Sequence, residues 1–486
     1  MAKKFYITTP IYYANDVGHI GNLFATTFSD VIARYYRSKL GKDNVYFTTG
    51  LDEHGTTVEN SAKKNGYTDY KKYVDERADY WINDFSSTQI SYNYFARTTN
   101  PSHEKFASDF VKKMISEGDV YKDVFKGKYC YGHEKFLTAS DIDERGLCPD
   151  HRPDQVIEVE EENYFFKLSK YAPKVKELIE NGEINVKPDN KRKEILARID
   201  QGVEDQSISR PKSKVTWAIE FPDDGSQTIY VWVEALLNYL SSLEINGKWG
   251  FWEGETLHVL GKDINWFHNL IWPAMLLSAG YPLFKRSFVH SFYTVGGRKM
   301  SKSIGNVIAP KDLVSKYGVD GTRYLLLANT PYQDDVDITW EALDARYNSD
   351  LANGLGNLVS RVAKLAEGTM RTSLDAHGIT PKSGSSLNQD HPEMPLSLKK
   401  AYDELRLHDV TSEINNLVSE ANEYLDEKTP WKLEGEPKQK VLEVAIQKII
   451  QIAKAAEPVI PETSRKIQKI FTSHPIKPAE VLFKRI

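Results

Sequence analysis

Residues 5–22 read FYITTPIYYANDVGHIGN and open a strand–loop–helix unit. The aromatic and apolar run at residues 5–7 predicts a strand, and the spacing of apolar residues over 23–35 predicts a helix. A second strand is predicted at residues 45–47, which completes one βαβ unit. Ligands of parallel sheets bind at the carboxyl ends of the strands, and phosphates favour the helix N-terminus, where His19, Gly21 and Asn22 lie.

A second stretch, residues 296–303, reads GGRKMSKS and follows a predicted strand at residues 288–292. Gly296 and Gly297 favour a mobile loop, and Lys299 and Lys302 add two charges that suit the phosphates of ATP. Either motif alone is weak, because basic loops are usually solvated and short motifs recur by chance. Their occurrence together, each after a strand, favours a nucleotide site.

The two motifs resemble the signatures of class I aminoacyl-tRNA synthetases, and the surrounding residues resemble methionyl-tRNA synthetases over essentially the whole chain. The resemblance implies an α/β fold with a Rossmann-like parallel-sheet catalytic domain, a zinc-knuckle insertion domain and a C-terminal α-helical bundle. It also implies activation of L-methionine with ATP and transfer of the methionyl group to tRNA(Met). Mg²⁺ would accompany the ATP phosphates.

The same resemblance assigns the nucleotide site. The residues implied for ATP binding are His19, Gly21, Asn22, Gly261, Asp263, Lys299, Ser301 and Lys302, with His19, Asn22, Lys299 and Lys302 as the catalytic set. Gly261 and Asp263 follow a predicted strand at residues 257–260, where a glycine admits a nucleoside and an acidic residue can accept from ribose hydroxyls. Many relatives have histidine where Asn22 stands, but an amide also donates to phosphate.

Composition excludes several classes of protein. The 486 residues are sufficient for about three domains. The hydrophobic content of 40% is too high for a disordered chain. A net charge of −5 neither indicates nor excludes a nucleic-acid partner. Two cysteines rule out a disulfide scaffold, and the absence of a signal-like or membrane-spanning apolar run favours a cytoplasmic location.

The chain is predicted to divide into five segments. Residues 1–115 and 226–325 form the two halves of the catalytic domain, 116–225 the insertion domain, 326–345 a linker that contacts the tRNA stem, and 346–486 the anticodon-binding domain. The insertion has no room for the longer editing insertion of isoleucyl-, valyl- and leucyl-type enzymes. The resemblance also places Arg210 near the entrance of the active site, although by itself Arg210 would be an ordinary surface arginine.

Both cysteines lie in the insertion, in the pattern C-x2-H-x14-C-x2-H formed by Cys130, His133, Cys148 and His151. This arrangement matches a structural zinc knuckle, in which four protein ligands leave no open position for catalysis. The alternative is two unrelated turns, each with a buried thiol. Relatives with this knuckle are commonly richer in cysteine, so the pattern here departs from the four-cysteine form.

The methionine pocket is implied by the resemblance to comprise Pro10, Ile11, Tyr13, Asp52, Trp232, Ala235, Tyr239, Ile264, Phe267 and His268. Asp52 would hold the α-amino group at the end of a strand, where the alternative is an Asx turn. Trp232, Ala235 and Tyr239 share one face of a predicted helix, a spacing that is more often core. Because a thioether is a weak acceptor, we expect an apolar pocket with Tyr13 and His268 as hydrogen-bond donors.

From residue 346 onward the apolar spacing predicts an α-helical bundle. By resemblance Asn357, Arg361 and Trp431 read the CAU anticodon of the tRNA, since RNA readers stack splayed bases on aromatic rings. Without the resemblance these residues would be an ordinary helix surface and a packed tryptophan. The chain ends with this bundle, which favours a monomer.

Two other functions are the alternatives. One is a class I synthetase for another amino acid or a bare nucleotidyltransferase, which the short insertion and the pocket residues disfavour. The other is a non-catalytic tRNA-binding paralogue, which would be expected to lose His19 or the lysines of the basic loop.

Overall fold

The computed structural model describes residues 3–15, 17–131, 135–137, 142–148, 153–299, 308–368, 394–473 and 475–486. These residues divide into two units, one of residues 1–18 and 36–291 and one of residues 19–35 and 292–486. Within the described ranges, no helix combines the length and the apolar character that a membrane crossing requires.

The described strands, in chain order, are β1 (Phe5–Tyr13), β2 (Val45–Asp52), β3 (Tyr94–Arg97), β4 (Val120–Cys130), β5 (Lys135–Leu137), β6 (Val156–Phe166), β7 (Asn185–Lys187), β8 (Gln206–Ser207), β9 (Ser209–Pro211), β10 (Glu220–Phe221), β11 (Asp224–Ile229), β12 (Glu255–Gly261), β13 (Arg286–His290), β14 (Tyr293–Val295), β15 (Arg298–Lys299) and β16 (Val336–Asp337).

The described α-helices are α1 (Ile20–Leu40), α2 (Thr56–Lys64), α3 (Tyr70–Ser87), α4 (Pro101–Ser116), α5 (Leu168–Glu180), α6 (Asp189–Asp200), α7 (Val231–Ile245), α8 (Trp272–Ser278), α9 (Pro310–Ala328), α10 (Trp340–Arg346), α11 (Asn357–Leu365), α12 (Leu396–Asp403), α13 (Leu407–Lys428), α14 (Gly435–Ala456) and α15 (Pro461–Thr472). Two π-helical turns, Phe267–Ile271 and Tyr347–Gly356, lead into α8 and α11.

The first unit is built on a six-stranded sheet with the order β3-β2-β1-β12-β13-β7. All its strand pairs are parallel, as the predicted α/β fold requires. The strand β1 pairs with β2 on one side and with β12 on the other, so the strand order reverses at β1. The crevice at such a reversal is the usual ligand site of an open parallel sheet.

The predicted βαβ unit is confirmed, with longer elements than the sequence indicated. The strand β1 continues past Pro10 to Tyr13 and shifts its register on β2 between Thr8 and Ile11. Its centre is buried: Tyr6 has no exposed surface, and its hydroxyl donates to the carbonyl of Tyr239 on α7 at 2.9 Å. A Cβ at Gly50 would lie 2.2 Å from the carbonyl oxygen of Ala96, so β2 and β3 can approach only with glycine there.

The segment 116–229 contains two small antiparallel sheets, with the orders β5-β4-β6-β8 and β10-β11-β9. The long pair β4 and β6 runs in register from Val120–Phe166 to Cys130–Val156. The same segment also supplies β7, which pairs in parallel with β13 at the edge of the six-stranded sheet. The insertion therefore contributes a strand to the main sheet, which its sequence did not predict.

The second unit is mainly helical, with one small sheet of order β15-β14-β16. Arg323 of α9 is fully buried and donates to Asp30 of α1 at 2.7 Å and to the carbonyl of Val459 at 2.9 Å. The apolar spacing of the sequence placed Leu417 and Tyr424 on the buried stripe of α13, but in the structure Val418 and Leu425 are buried there, whereas Leu417 and Tyr424 are partly exposed. The bundle itself is confirmed.

Candidate active site

The carboxyl ends of β1 and β2 bring Tyr13 and Asp52 side by side. The two residues are direct partners in the parallel register, and the Ala14 amide donates to the Asp52 carbonyl at 2.8 Å. Asp52 ends the strand β2 and is 5% exposed. A buried carboxylate at the sheet's ligand-binding edge is suited to an ammonium group.

Aromatic rings form the wall next to this edge. The indole of Trp232 on α7 stacks on Phe267, with the ring centroids 4.1 Å apart and the planes at 13°. Tyr13 meets the same indole edge-on, with a centroid separation of 6.3 Å and an interplanar angle of 80°. The structure therefore brings together three of the predicted pocket residues, from β1, α7 and the π-helical turn.

Tyr239 and His268 form a hydrogen-bonded pair in the same unit, with the hydroxyl 2.8 Å from Nε2. The Nδ1 atom of His268 lies 3.0 Å from the Ile264 carbonyl, which can only accept, so Nδ1 carries the proton. Burial lowers the pKa of His268 to about 4, which keeps the ring neutral. Nε2 then accepts from the Tyr239 hydroxyl, and His268 has no N–H to offer a thioether.

The prediction that His268 donates a hydrogen bond to the ligand is therefore wrong for this structure. The sequence showed a histidine with helical spacing, but the tautomer is set by a carbonyl one turn away and by a residue 29 positions earlier. The remaining predicted pocket residues also belong to this unit. Pro10 and Ile11 lie on β1, Ala235 is buried on α7, and Ile264 ends the 3₁₀ turn after β12.

The start of α1 holds His19 and Asn22 through its own capping bonds. The Asn22 side-chain oxygen accepts from the His19 amide at 3.0 Å, in the manner of a capping box. The Gly21 amide donates to His19 Nδ1 at 3.0 Å, so the neutral ring carries its proton on Nε2. A Cβ at Gly21 would lie 2.9 Å from His19 Cε1, which explains the glycine. Asn22 thus uses its side-chain oxygen within the first turn of α1.

The other predicted nucleotide residues fall at two further places. Gly261 ends β12, and Asp263 is exposed in the 3₁₀ turn that follows. Lys299 ends β15. Ser301 and Lys302 lie outside the described residues.

The predicted anticodon residues form one surface in the helical unit. Asn357 and Arg361 are four residues apart on α11, and the Arg361 guanidinium lies 4.7 Å from the ring centroid of Trp431. Asp426 on α13 accepts from Arg361 at 2.6 Å. Trp431 is 45% exposed.

Two of the four predicted zinc ligands are described. Cys130 and Cys148 are buried in one small cluster with Leu137. His133 and His151 lie outside the described residues. In the ranges that the structure describes, no group of three or more His, Cys, Asp or Glu side chains could hold a metal ion.

Arg210 is buried, in contrast to the surface residue that its sequence context alone would favour. Its guanidinium makes two hydrogen bonds to Glu161, at 2.9 and 3.0 Å, and lies 4.0 Å from the centre of the Tyr129 ring. The partner carboxylate is 49 residues earlier in the chain, which is why no local pattern indicated this pair.

Sequence reasoning also missed a buried cluster next to the pocket residues. Glu234 on α7 bonds His54, which follows β2, and His103 on α4. The only available signal was a glutamate within an otherwise apolar helix, IYVWVEALLNYL.

Comparison with known proteins identifies the relatives of this chain. A family model described as "tRNA synthetases class I (M)" matches residues 5–159 and 153–363. Methionine–tRNA ligase of Thermotoga maritima is 39% identical over 478 residues, covering 96% of this chain and 74% of that protein. The Caldanaerobacter subterraneus enzyme of the same name is 41% identical, covering 89% and 67%. The Mycobacterium tuberculosis methionyl-tRNA synthetase in complex with methionyl-adenylate matches with a TM-score of 0.85 at 30% identity, covering 99% and 98%.

Proposed function

The chain belongs to the methionine–tRNA ligases of class I, and we propose that its two units divide the recognition of methionine and of tRNA between them. The reaction is that of the family: ATP activates L-methionine to methionyl-adenylate with release of pyrophosphate, and the methionyl group then passes to the 3′ end of tRNA(Met). The protein supplies no covalent nucleophile. It binds, orients and stabilises charge.

The pocket of Tyr13, Trp232 and Phe267 beside Asp52 is the observation that carries this proposal. The stacked rings form an apolar wall for a thioether side chain, and the adjacent carboxylate is placed for the α-ammonium group. Pro10, Ile11, Ala235, Tyr239, Ile264 and His268 complete the proposed pocket. With His268 committed to Tyr239 and Ile264, Tyr13 is the proposed donor to sulfur.

In the activation step the methionine carboxylate attacks the α-phosphorus of ATP and pyrophosphate leaves. We assign His19, Asn22, Lys299 and Lys302 to the stabilisation of the phosphate charge, with Gly21 and Ser301 beside them and Gly261 and Asp263 for the nucleoside. The capping bonds support this for His19, because they leave the proton on the outer ring nitrogen. Mg²⁺ would enter with the ATP phosphates.

In the helical unit Asn357, Arg361 and Trp431 are proposed to read the CAU anticodon. The exposed indole with a guanidinium over its face is a stacking platform for an unpaired base, and Asn357 adds amide donors and acceptors on the same helix. The acceptor end of the tRNA must reach the methionyl-adenylate for transfer.

A structural zinc ion held by Cys130, His133, Cys148 and His151 is also proposed. The two thiols come from positions 18 residues apart and lie in one buried cluster, as ligands of one tetrahedral site must. Measured zinc content should be about one ion per chain. It should be lost in Cys148→Ser, whereas no zinc in the purified protein would contradict the assignment.

The remaining assignments rest on the family. We keep the division into a catalytic domain of residues 1–115 and 226–325, an insertion of 116–225, a linker of 326–345 and an anticodon-binding domain of 346–486. The protein is proposed to be cytoplasmic and monomeric. Sedimentation of the purified chain would test the oligomeric state.

ATP–pyrophosphate exchange with each of the twenty amino acids, without tRNA, tests the proposed pocket. Exchange with methionine that is lost in Asp52→Asn, while ATP still binds, is the expected result. Retention of exchange in Asp52→Asn would contradict the role of Asp52, and exchange with another amino acid would overturn the pocket.

A further inference from the structure

A glutamate and two histidines form a buried cluster in the first unit. Glu234, His54 and His103 are 1%, 3% and 2% exposed. One carboxylate oxygen of Glu234 lies 3.0 Å from His54 Nδ1, and the other lies 2.9 Å from His103 Nε2. A buried carboxylate needs such partners, because removal from water without them is strongly unfavourable.

The carboxylate at the centre of the cluster determines which nitrogens of the two histidines carry protons. The Glu234 carboxylate only accepts, so His54 Nδ1 and His103 Nε2 both donate to it. His103 Nδ1 lies 2.7 Å from the hydroxyl of Ser241, which is about two helical turns after Glu234 on α7. The carboxylate is thus bound on both oxygens, and α7 is held to α4 at two points.

The cluster joins the two parts of the proposed methionine site. His54 lies two residues after Asp52, in a loop that Trp217 also holds by donating from Nε1 to the Glu53 carbonyl at 2.6 Å. Glu234 lies in the first turn of α7, between Trp232 and Ala235. A single carboxylate therefore connects the loop directly after Asp52, the proposed ligand of the ammonium group, to the helix that carries Trp232.

We propose that the cluster of His54, Glu234 and His103 positions the methionine site, by fixing the loop that follows Asp52 against the first turn of α7. The inference rests on the proposed roles of Asp52 and Trp232. None of the three side chains contacts the reacting atoms in this account. They set the separation between the carboxylate that meets the ammonium group and the indole that meets the thioether, and they do not bear on the nucleotide residues of α1.

Exchange kinetics of Glu234→Gln test the proposal. Glutamine keeps the shape but presents an amide N–H to one histidine, so one charged hydrogen bond is lost. We expect the KM for methionine to rise about tenfold while the KM for ATP stays within about twofold. Asp119→Asn is the matched control, because it removes another buried carboxylate, bonded to Lys170 and Ser278, that touches no pocket residue. Its methionine KM should be unchanged.

Ser241→Ala is the milder variant, since it removes only the hydroxyl at the end of the cluster. Ser241→Ala should raise the methionine KM about threefold with little change in melting temperature. If Glu234→Gln does not fold, the methionine KM of Ser241→Ala tests the proposal. An unchanged methionine KM in either folded variant overturns the proposal, as do parallel rises in the KM of methionine and ATP. Asp52→Asn in the same assay tests the premise: if it leaves the methionine KM unchanged, the site assignment fails rather than the cluster.

Discussion

Trp232 and Trp431 are both assigned to ligand recognition, but their surroundings differ. Trp232 is packed between Phe267 and Tyr13 in the parallel-sheet unit, where the nearby hydroxyl of Tyr239 and both ring nitrogens of His268 are already hydrogen-bonded. Trp431 is 45% exposed in the helical unit, with the guanidinium of Arg361 over its face.

Under the proposed function, this difference matches the two kinds of ligand. A small amino acid must be discriminated by shape and by few hydrogen bonds, so its pocket is preformed and its polar atoms are fixed by neighbours. An anticodon base has a large π-face, so the protein can bind it by stacking on an exposed ring that has a guanidinium over its other face. Substitutions at the two tryptophans should therefore affect different steps of the reaction.

The largest effect is expected for Trp232→Ala. Removing the stacked indole opens a cavity in the pocket wall, and kcat/KM for methionine in ATP–pyrophosphate exchange should fall by about 100-fold or more. Binding of tRNA, measured by filter retention, should be unchanged. Trp249→Ala is the matched control, because Trp249 stacks on Tyr281 and is not a pocket residue. A similar loss in both variants would mean that the unit is destabilised rather than the pocket altered.

Trp431→Ala should have the next largest effect, in the opposite assay. Loss of a base-stacking ring weakens binding by about 1–3 kcal/mol, so the Kd for tRNA(Met) should rise about 5- to 150-fold. Methionine activation without tRNA should be unaffected. Tyr80→Ala removes another exposed ring, at 39% exposure, and should not change the Kd for tRNA. Normal tRNA binding by Trp431→Ala would remove Trp431 from the anticodon surface.

Arg361→Lys should weaken tRNA binding less, by about threefold to tenfold, because lysine keeps the charge but loses the planar group that stacks on the indole. In the Trp431→Ala background the same change should have little further effect, since the stacking partner is gone. Additive losses in this double-mutant cycle would show that Arg361 acts on the tRNA independently of Trp431.

The smallest effect is a pH dependence of stability near the pocket. Burial opposes the charged form of His54, but Glu234, Glu104 and Glu53 outweigh it and raise the pKa of His54 above 6.5. A raised pKa means that the folded state binds the proton more tightly, so this stabilisation is present below pH 6.5 and is lost as the pH rises through the folded pKa. Glu234 stays ionised around and above pH 6.5, because His54 and His103 outweigh the effect of burial and lower the pKa of Glu234.

The melting temperature of the wild-type protein should therefore decrease more than that of Glu234→Gln as the pH is raised above 6.5. Both scans are made in the same buffers, and the difference between the two proteins is the quantity of interest. Parallel curves would show that Glu234 does not keep His54 charged.

Local patterns were sufficient for much of the fold. The apolar runs and their periods predicted the βαβ unit at residues 5–47, the helix that carries Trp232, Ala235 and Tyr239, and the helical bundle after residue 346. The strand β7 was missed because a three-residue edge strand has no periodicity to detect, and its pairing with β13 joins residues about 100 positions apart. Leu417 and Tyr424 of α13 were wrongly predicted to be buried, because the neighbouring Val418 and Leu425 are apolar as well.

In the candidate site, too, some features were predicted from the sequence and others were not. Motif residues such as His19, Asp52 and Trp232 were identified from sequence, and the structure places Tyr13, Trp232 and Phe267 together. The hydrogen-bonding state of His268, the burial of Arg210 on Glu161 and the cluster around Glu234 were not accessible. Each depends on a partner that is 29 to 180 residues away in the chain.

The sequence by itself predicted most of the helices and strands from the spacing of apolar residues, and it indicated the family through two short motifs. The residues proposed to meet methionine, ATP and tRNA were implied by the resemblance to that family. Only the tertiary structure decided the hydrogen-bond partners of His268, the burial of Arg210 and Glu234, and the exposure of Trp431. Protonation and hydrogen bonding depend on the groups within a few ångströms of an atom, and chain folding brings those groups from distant positions.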